Sequence, residues 1–424
     1  MEPEVTEIEI GDEKSVLLKV AGLYASHLLS DISLVVGENR YPAHRVILSA
    51  SSEVFQCMLL NPQWSECKES VINLVEDPQN CAVFPQFLKY LYTGQVRISV
   101  ETAMPLLSLA DKYNIKDLIV LCRDFMTRSI AIAGSRGFLV GWLQYTLSFN
   151  YHQLLTNELK NFLRLNIETV GYAADFTELD PNNLVVLLQQ NDLVIKNEAA
   201  LFDIVERWLM IKRDQIEHEE SLSDEEKQSH MKSLIEGICT HIRFPMMTVR
   251  ELAEIPLKAI TAFSKEFFCD RMALGMSFHA GQPLRFDGDA NDANLQYTPR
   301  LYTSDIFCLE MKVEEIRNVE NYKNFGACFF SLSEFPYNSN DASDVLVSGV
   351  QNSVTHIKTL HTRTNYFSRE NRVINIDNLV PYDELSTDRS LFLIGNNRDT
   401  VRIHVIITPM QQGLTQDPPN FEFK

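Results

Sequence analysis

Hydrophobic spacing changes period several times in the first 130 residues. Val16, Leu17, Val20, Leu23, Tyr24 and Leu28 recur at near-helical spacing, which predicts an amphipathic helix over residues 15–29. Hydrophobic side chains then dominate residues 32–36, and Gly37-Glu38-Asn39-Arg40 supplies turn chemistry, so a short strand ends there and Tyr41-Pro42-Ala43 extends again. From His44 the period is helical: Val46, Ile47 and Leu48 lead into Ser51-Ser52-Glu53, where a serine hydroxyl can cap a helix whose apolar face is Val54, Phe55, Met58 and Leu59. Residues 71–75 read as a strand. Asp77-Pro78 opens a helical region whose regular part should begin at Pro85, a poor interior residue, and stop at Thr93-Gly94. Ser99 is placed to cap a helix through residues 104–111, and residues 116–126 predict another.

Residues 137–269 are helical throughout, with apolar residues three and four apart in 138–149, 154–165, 182–189 and 197–210. Asn197 is placed to cap the helix bearing Trp208, whose indole reads as core. Residues 211–227 form a charge run with seven acids from Asp214 to Glu226, read as a solvated loop between helices with an acidic docking tail as the alternative. Helix returns over 231–269, punctuated by Pro245 and Pro256. Residues 277–298 have no sustained period and read as a linker or a long strand connection. The stretch 302–408 then reads as all-β, with candidate strands at 307–313, 327–332, 345–350, 355–360, 373–376, 391–394 and 401–407 between turn clusters. That spacing argues for a β-sandwich.

A length of 424 residues is too great for one core, so two or three domains are expected. A net charge of −19 repels phosphate backbones and anionic lipid, so neither nucleic acid nor membrane is expected as a partner. No apolar run approaches the ~18 residues of a membrane span. The eight cysteines are scattered without a CxxC pair, and read as buried thiols of a reducing compartment. The acidic start lacks the order of a secretory signal, and no Asn-x-Ser/Thr acceptor occurs, so an intracellular place, cytoplasmic or nuclear, is expected. Gly134-Ser135-Arg136-Gly137 lacks the terminal Lys-Ser/Thr of a phosphate loop, and Cys239-Thr240-His241 has no second pair of metal ligands nearby. No catalytic residue, metal or cofactor is expected.

Ser30-Asp31-Ile32 followed by Pro42-Ala43-His44-Arg45-Val46-Ile47-Leu48, and further on Leu91-Tyr92-Thr93-Gly94 and Ala110-Asp111-Lys112-Tyr113, resembles the BTB (POZ) fold. Asp192-Leu193-Val194-Ile195-Lys196-Asn197-Glu198, with Phe202, Val205, Trp208-Leu209 and later Arg243-Phe244-Pro245, resembles the BACK domain. The strand at 401–407 is similar to a TRAF-like (MATH-type) sandwich. The expected fold is therefore multidomain: an acidic lead-in 1–14, an α+β BTB/POZ domain 15–130, an all-α BACK domain 131–275, a linker 276–300, an all-β sandwich 301–410 and a tail 411–424.

The resemblance implies a homodimer packed across the first helix, with Leu23, Asp31 and Arg45 at its base. Apart from the resemblance, Asp31 and Arg45 read as a capping carboxylate and a solvated helix cation. BTB proteins that bind cullin-3 commonly carry a hydrophobic residue, any residue, then Glu in the loop corresponding to residues 60–69, and the matching triplet is Trp64-Ser65-Glu66. The family usually has a smaller or more flexible apolar residue than Trp at the first position. The alternative packs Trp64 back on its own domain and leaves Glu66 solvated. Tyr113 is the second implied contact, against a half-buried tyrosine bonded to a loop carbonyl, whereas His44 reads as structural. The implied function is a non-catalytic, substrate-recruiting adaptor of a cullin-3 RING ubiquitin ligase, with an unknown protein substrate held on the sandwich. The rival is a BTB-dimeric scaffold without ligase activity; a secreted BTB-BACK protein would need the paired cysteines and signal sequence that are not seen.

Overall fold

The structure, a computed structural model, describes residues 13–219, 221–281, 295–304, 307–314, 330–331, 339–351, 354–367, 373–374, 379–380, 382–385, 390–395 and 397–409. The chain divides into two compact units, Met1–Ser129 and Ile130–Lys424.

In the first unit, α1 (Glu13–Ser26) precedes a three-stranded sheet of order β2-β1-β3. β1 (Ile32–Val36) turns through Gly37, at φ 58°, into antiparallel β2 (Asn39–Ala43), and pairs in parallel with β3 (Val71–Leu74). Ile32, Leu34 and Val36 alternate into the core, as a strand with one buried face requires. Between β2 and β3 lie α2 (Arg45–Ser51) and α3 (Glu53–Leu60), and after β3 come α4 (Pro78–Thr93), α5 (Val100–Lys112) and α6 (Lys116–Arg128). Phe55, Phe84, Phe87 and Leu106 fill the centre.

The expected caps form: Ser52 accepts from the Phe55 N–H, and Ser99 makes a reciprocal capping box with Thr102. The expected start at Pro85 is corrected. α4 begins at Pro78 and runs through Pro85 to Gly94, which closes it at φ 63°. Burial of Phe84, Phe87 and Leu88 holds the helix across the proline.

The second unit starts with α7 (Ile130–Arg136), α8 (Leu139–Leu147), α9 (Gln153–Leu165), α10 (Ile167–Gly171) and α11 (Pro181–Leu188). A two-residue strand, β4 (Val194–Ile195), leads to α12 (Glu198–Glu217), α13 (Asp224–Cys239), α14 (Val249–Glu254) and α15 (Lys265–His279). Trp208 is core, as expected, and its Nε1–H donates to the Leu179 carbonyl at 3.1 Å. Asn197 caps α12 by accepting from the Ala200 N–H at 2.8 Å. The charge run expected as a loop is mostly helical. α12 extends to Glu217, and a Ser223/Glu226 capping box starts α13 with three acids in its first turn, where the helix dipole favours them.

Part of the expected linker also belongs to this unit. α15 reaches His279, and β5 (Leu301–Tyr302) pairs in parallel with β4. Residues 282–294 of the linker lie outside the described residues, as do 1–12 of the lead-in and the tail 411–424.

The C-terminal strands are β6 (Phe307–Lys312), β7 (Phe330–Ser331), β8 (Ser339–Gln351), β9 (Val354–Phe367), β10 (Val373–Ile374), β11 (Leu393–Ile394) and β12 (Thr400–Pro409). β12 pairs antiparallel with β6, β8 and β11, β8 continues into β9, and β7 pairs with β10. β8 and β9 are longer than the expected strands, and the expected strand 327–332 is described only at 330–331. One face of the larger sheet buries Val345, Val347, Val401, Ile403 and Val405 with Phe392. Leu346 and Ile406 instead join Leu165, Val194 and Leu301 of the helical part. That second burial is why β12 becomes apolar on both faces towards its end. Asn166 fixes the contact by bonding both backbone groups of Ile357, accepting its N–H at 2.7 Å and donating to its carbonyl at 3.0 Å.

Candidate functional site

The loop after α3 carries the expected docking triplet. Asn61 caps the end of α3 with its N–H on the Cys57 carbonyl, and its side chain accepts from the Gln63 N–H at 3.0 Å. The chain then enters a 3₁₀ turn, Ser65–Cys67, flanked by Trp64 N–H to Asn61 carbonyl at 3.1 Å and Lys68 N–H to Ser65 carbonyl at 3.1 Å. Trp64 stands 51% exposed at the head of this turn. Ser65 is exposed, Glu66 is half-buried, and the Ser65 hydroxyl donates to Glu66 Oε2 at 2.9 Å. An exposed indole beside a carboxylate is an amphipathic anchor of the kind that protein interfaces use. Val46 and Leu60, at 71% and 56% exposure, are further apolar side chains on α2 and α3.

Arg45, on the first turn of α2, holds this loop. Its Nη1 donates to the Leu59 carbonyl at 3.2 Å, and its Nη2 donates to the carbonyls of Glu66, at 3.3 Å, and Glu69. Asp31 does not pair with the guanidinium. Its Oδ1 accepts the Arg45 backbone N–H at 2.8 Å, which makes it the capping carboxylate at the start of α2. Within the chain, then, the carboxylate caps a helix and the cation binds loop carbonyls. Leu23 is half-buried on α1, while Val16, Leu17 and Leu18 of the same helix, with Leu28 and Leu29 after it, are exposed. His44 is structural, as expected, bridging the Tyr92 hydroxyl at 2.9 Å and the Leu28 carbonyl at 2.7 Å.

Tyr113 does not reach the surface, which corrects its expected place as a second contact. It is 2% exposed, stacked on Phe55 at 4.5 Å and tilted against Phe87 at 5.4 Å. Its hydroxyl donates to Glu76 Oε1 at 2.6 Å, and burial, reinforced by that carboxylate, pushes its pKa far up. Lys112 Nζ meets the same Oε1 at 2.7 Å. The Asp-Lys-Tyr run therefore supports the fold, with two of its side chains converging on one buried acid. The Tyr113 carbonyl also accepts from the Ser52 hydroxyl at 2.6 Å, tying the cap of α3 to the end of α5.

A polar centre in the second unit escaped the sequence reading. Glu198 and Arg300 form an ion pair at 3.1 Å with both side chains fully buried. Glu198 also accepts from the Tyr302 hydroxyl at 2.6 Å and from the Arg243 N–H at 2.8 Å. Arg300 donates to the carbonyls of Gln190 and His241, at 2.7 and 2.9 Å. Arg243 reaches the Thr298 carbonyl and Asn191, and burial with Arg300 nearby lowers its pKa to about 10. The only signal was an acid, Glu198, in the first turn of a helix. With Glu198, Arg243 and Arg300 all buried, the network ties the helices to the chain at residues 298–302 and closes a core. Among the described residues, no group of 3 or more His, Cys, Asp or Glu side chains gathers as metal ligands, and no helix is long and apolar enough to cross a membrane.

Comparison with known proteins agrees with this architecture. Residues 21–130 match the BTB/POZ domain and residues 139–256 the BACK (BTB And C-terminal Kelch) domain, so the chain carries both domains. Residues 342–411 match the BTBD17 TRAF domain, which gives it a C-terminal TRAF domain of that type. BTB/POZ domain-containing protein 17 of Xenopus laevis is 30% identical over 262 residues, 62% of this chain and 51% of that one. The Homo sapiens protein of the same name is 28% identical over 307 residues, covering 70% and 59%. Kelch-like protein 24 of Homo sapiens is 26% identical over 225 residues, covering 52% and 33%. The chain spans about half the length of the curated relatives it matches. It is homologous to both groups, and its BTB and BACK domains are protein-interaction modules without catalytic function.

Proposed function

We propose that the chain is a substrate-recruiting adaptor of a cullin-3 RING ubiquitin ligase, which dimerises through its BTB domain and holds a protein substrate on its TRAF sheet. The observation that carries this reading is the exposed Trp64-Ser65-Glu66 turn, at the loop where cullin-binding BTB proteins carry their contact triplet. Kinship with Kelch-like proteins, which are commonly cullin-3 adaptors, supports it. Leu23 and the exposed apolar side of α1 are the proposed dimer face, with Asp31 next to it at the start of α2; Arg45 contributes through the docking loop. The chain performs no chemistry of its own. It raises the effective concentration of a substrate lysine near a ligase-borne ubiquitin. Two arms related by a two-fold axis would present two substrates, and an intracellular place, cytoplasmic or nuclear, follows from this role.

The test is direct binding of the purified chain to the cullin-3 N-terminal domain, with Trp64→Ala and Glu66→Arg beside the wild type and mass measured for each. Submicromolar wild-type binding, about 8 kcal/mol or more, lost in both folded variants, is the expected result. A well-folded dimer that does not bind overturns the proposal in favour of a BTB-dimeric scaffold without ligase activity.

A further inference from the structure

The Arg45 side chain closes the docking loop at three points. The Leu59 carbonyl belongs to the last turn of α3, the Glu66 carbonyl to the 3₁₀ turn bearing the triplet, and the Glu69 carbonyl to the chain about to enter β3. The loop's internal bonds, Trp64 to Asn61, Cys67 to Trp64 and Lys68 to Ser65, are all short-range and close only single turns. Such bonds shape the turn and leave its position on the domain undetermined. The side chains at its tip add little anchorage, since Trp64 and Ser65 are exposed and Glu66 bonds its own neighbour. A guanidinium is suited to this task because its planar fork presents several N–H donors in fixed directions, whereas an ammonium acts from one point.

We infer that Arg45 is a positioning residue for the docking loop, fixing the Trp64-Ser65-Glu66 turn in its binding-competent place, and that the dimer base does not depend on its charge. The inference rests on the adaptor reading for its partner and stands without it for the loop. Releasing the fork lets the turn sample other positions, and apparent affinity then falls by the fraction of time the loop spends in place.

The experiment compares full-length wild type, Arg45→Gln, Arg45→Lys and Asp31→Asn by light-scattering mass, by amide hydrogen exchange without partner, and by binding to the cullin-3 N-terminal domain. In Arg45→Gln, the amides of Trp64, Cys67 and Lys68 should exchange at least about tenfold faster while β1 and α5 keep their protection. Dimer mass should be unchanged and cullin-3 affinity should fall about tenfold through slower association. Arg45→Lys should resemble Arg45→Gln, because charge without the fork cannot span three carbonyls. Asp31→Asn, which keeps the cap, should leave loop exchange at the wild-type rate. Unchanged loop exchange in both Arg45 variants, full rescue by lysine, or dissociation of the dimer each overturns the inference. Faster loop exchange in a chain whose wild type does not bind cullin-3 upholds the clamp and overturns only the adaptor reading.

Discussion

Replacing Arg300 by methionine should destabilise the second unit severely while leaving the first intact. The substitution keeps most of the side-chain volume and removes the cation. Glu198 would then be an enclosed carboxylate held only by the Tyr302 hydroxyl and the Arg243 N–H, and the Gln190 and His241 carbonyls would lose the donors Arg300 gives them. Removing one partner of a buried ion pair costs about 3–5 kcal/mol, because the other charge stays buried and uncompensated. At about 2–4 °C per kcal/mol for a domain of this size, the second unit should melt on the order of 10 °C earlier. Trp142 and Trp208 lie in this unit and are fully or almost fully buried, so tryptophan fluorescence during urea unfolding reports its loss directly. The double variant Arg300→Met, Glu198→Gln removes both charges, and its cost should fall short of the sum of the single costs by about 0.5–3 kcal/mol. Two results would refute the reasoning: a loss below about 1 kcal/mol for Arg300→Met, or strict additivity in the double variant.

Tyr113→Phe, which leaves Glu76 without its hydroxyl donor, should cost the first unit about 1–3 kcal/mol, and Tyr113→Ala about 3–5 kcal/mol, both read from urea midpoints. Burial lowers the pKa of His356 and of His404 below the ordinary 6.5. The unfolded chain therefore takes up protons below that pH that the folded chain refuses, and stability of the second unit should fall as the pH drops from about 6.5. In His356→Gln, His404→Gln this slope should flatten, which urea titrations at pH 7.5 and about 5.5 would measure.

What could be read in the sequence was local. β1 falls where its hydrophobic run predicts, and Ser52, Ser99 and Asn197 cap the helices expected of them, because capping depends on residues three positions apart. The exposed turn at Trp64 was found through its position in a recognised loop. Elements made by distant partners were not legible. β4 and β5 are two residues each and pair across more than a hundred positions, too short for any period to show. Arg300 carries no mark of burial in the sequence, since charged side chains seldom enter a core and nothing near it points to Glu198 as its partner. An aromatic such as Tyr113 suits a core or an interface equally, and only the surrounding Phe55, Phe87 and Glu76 decide between them. The direction of the Arg45 guanidinium depends on where three backbone carbonyls come to rest, which no side-chain pattern encodes.

The buried pair of Glu198 and Arg300 also sets an order of events during synthesis. The BACK match ends at residue 256, yet the acid on α12 waits for an arginine 102 positions later. A nascent chain that has released only its helices from the ribosome carries Glu198 without its cation, and leaves Val194 and Ile195 without the strand that pairs with them. Domains made first generally fold first, but this one cannot finish when its helices are complete. Until β5 emerges, the helical domain holds a carboxylate without its cation and a strand without its neighbour, its closing stitch still inside the ribosome.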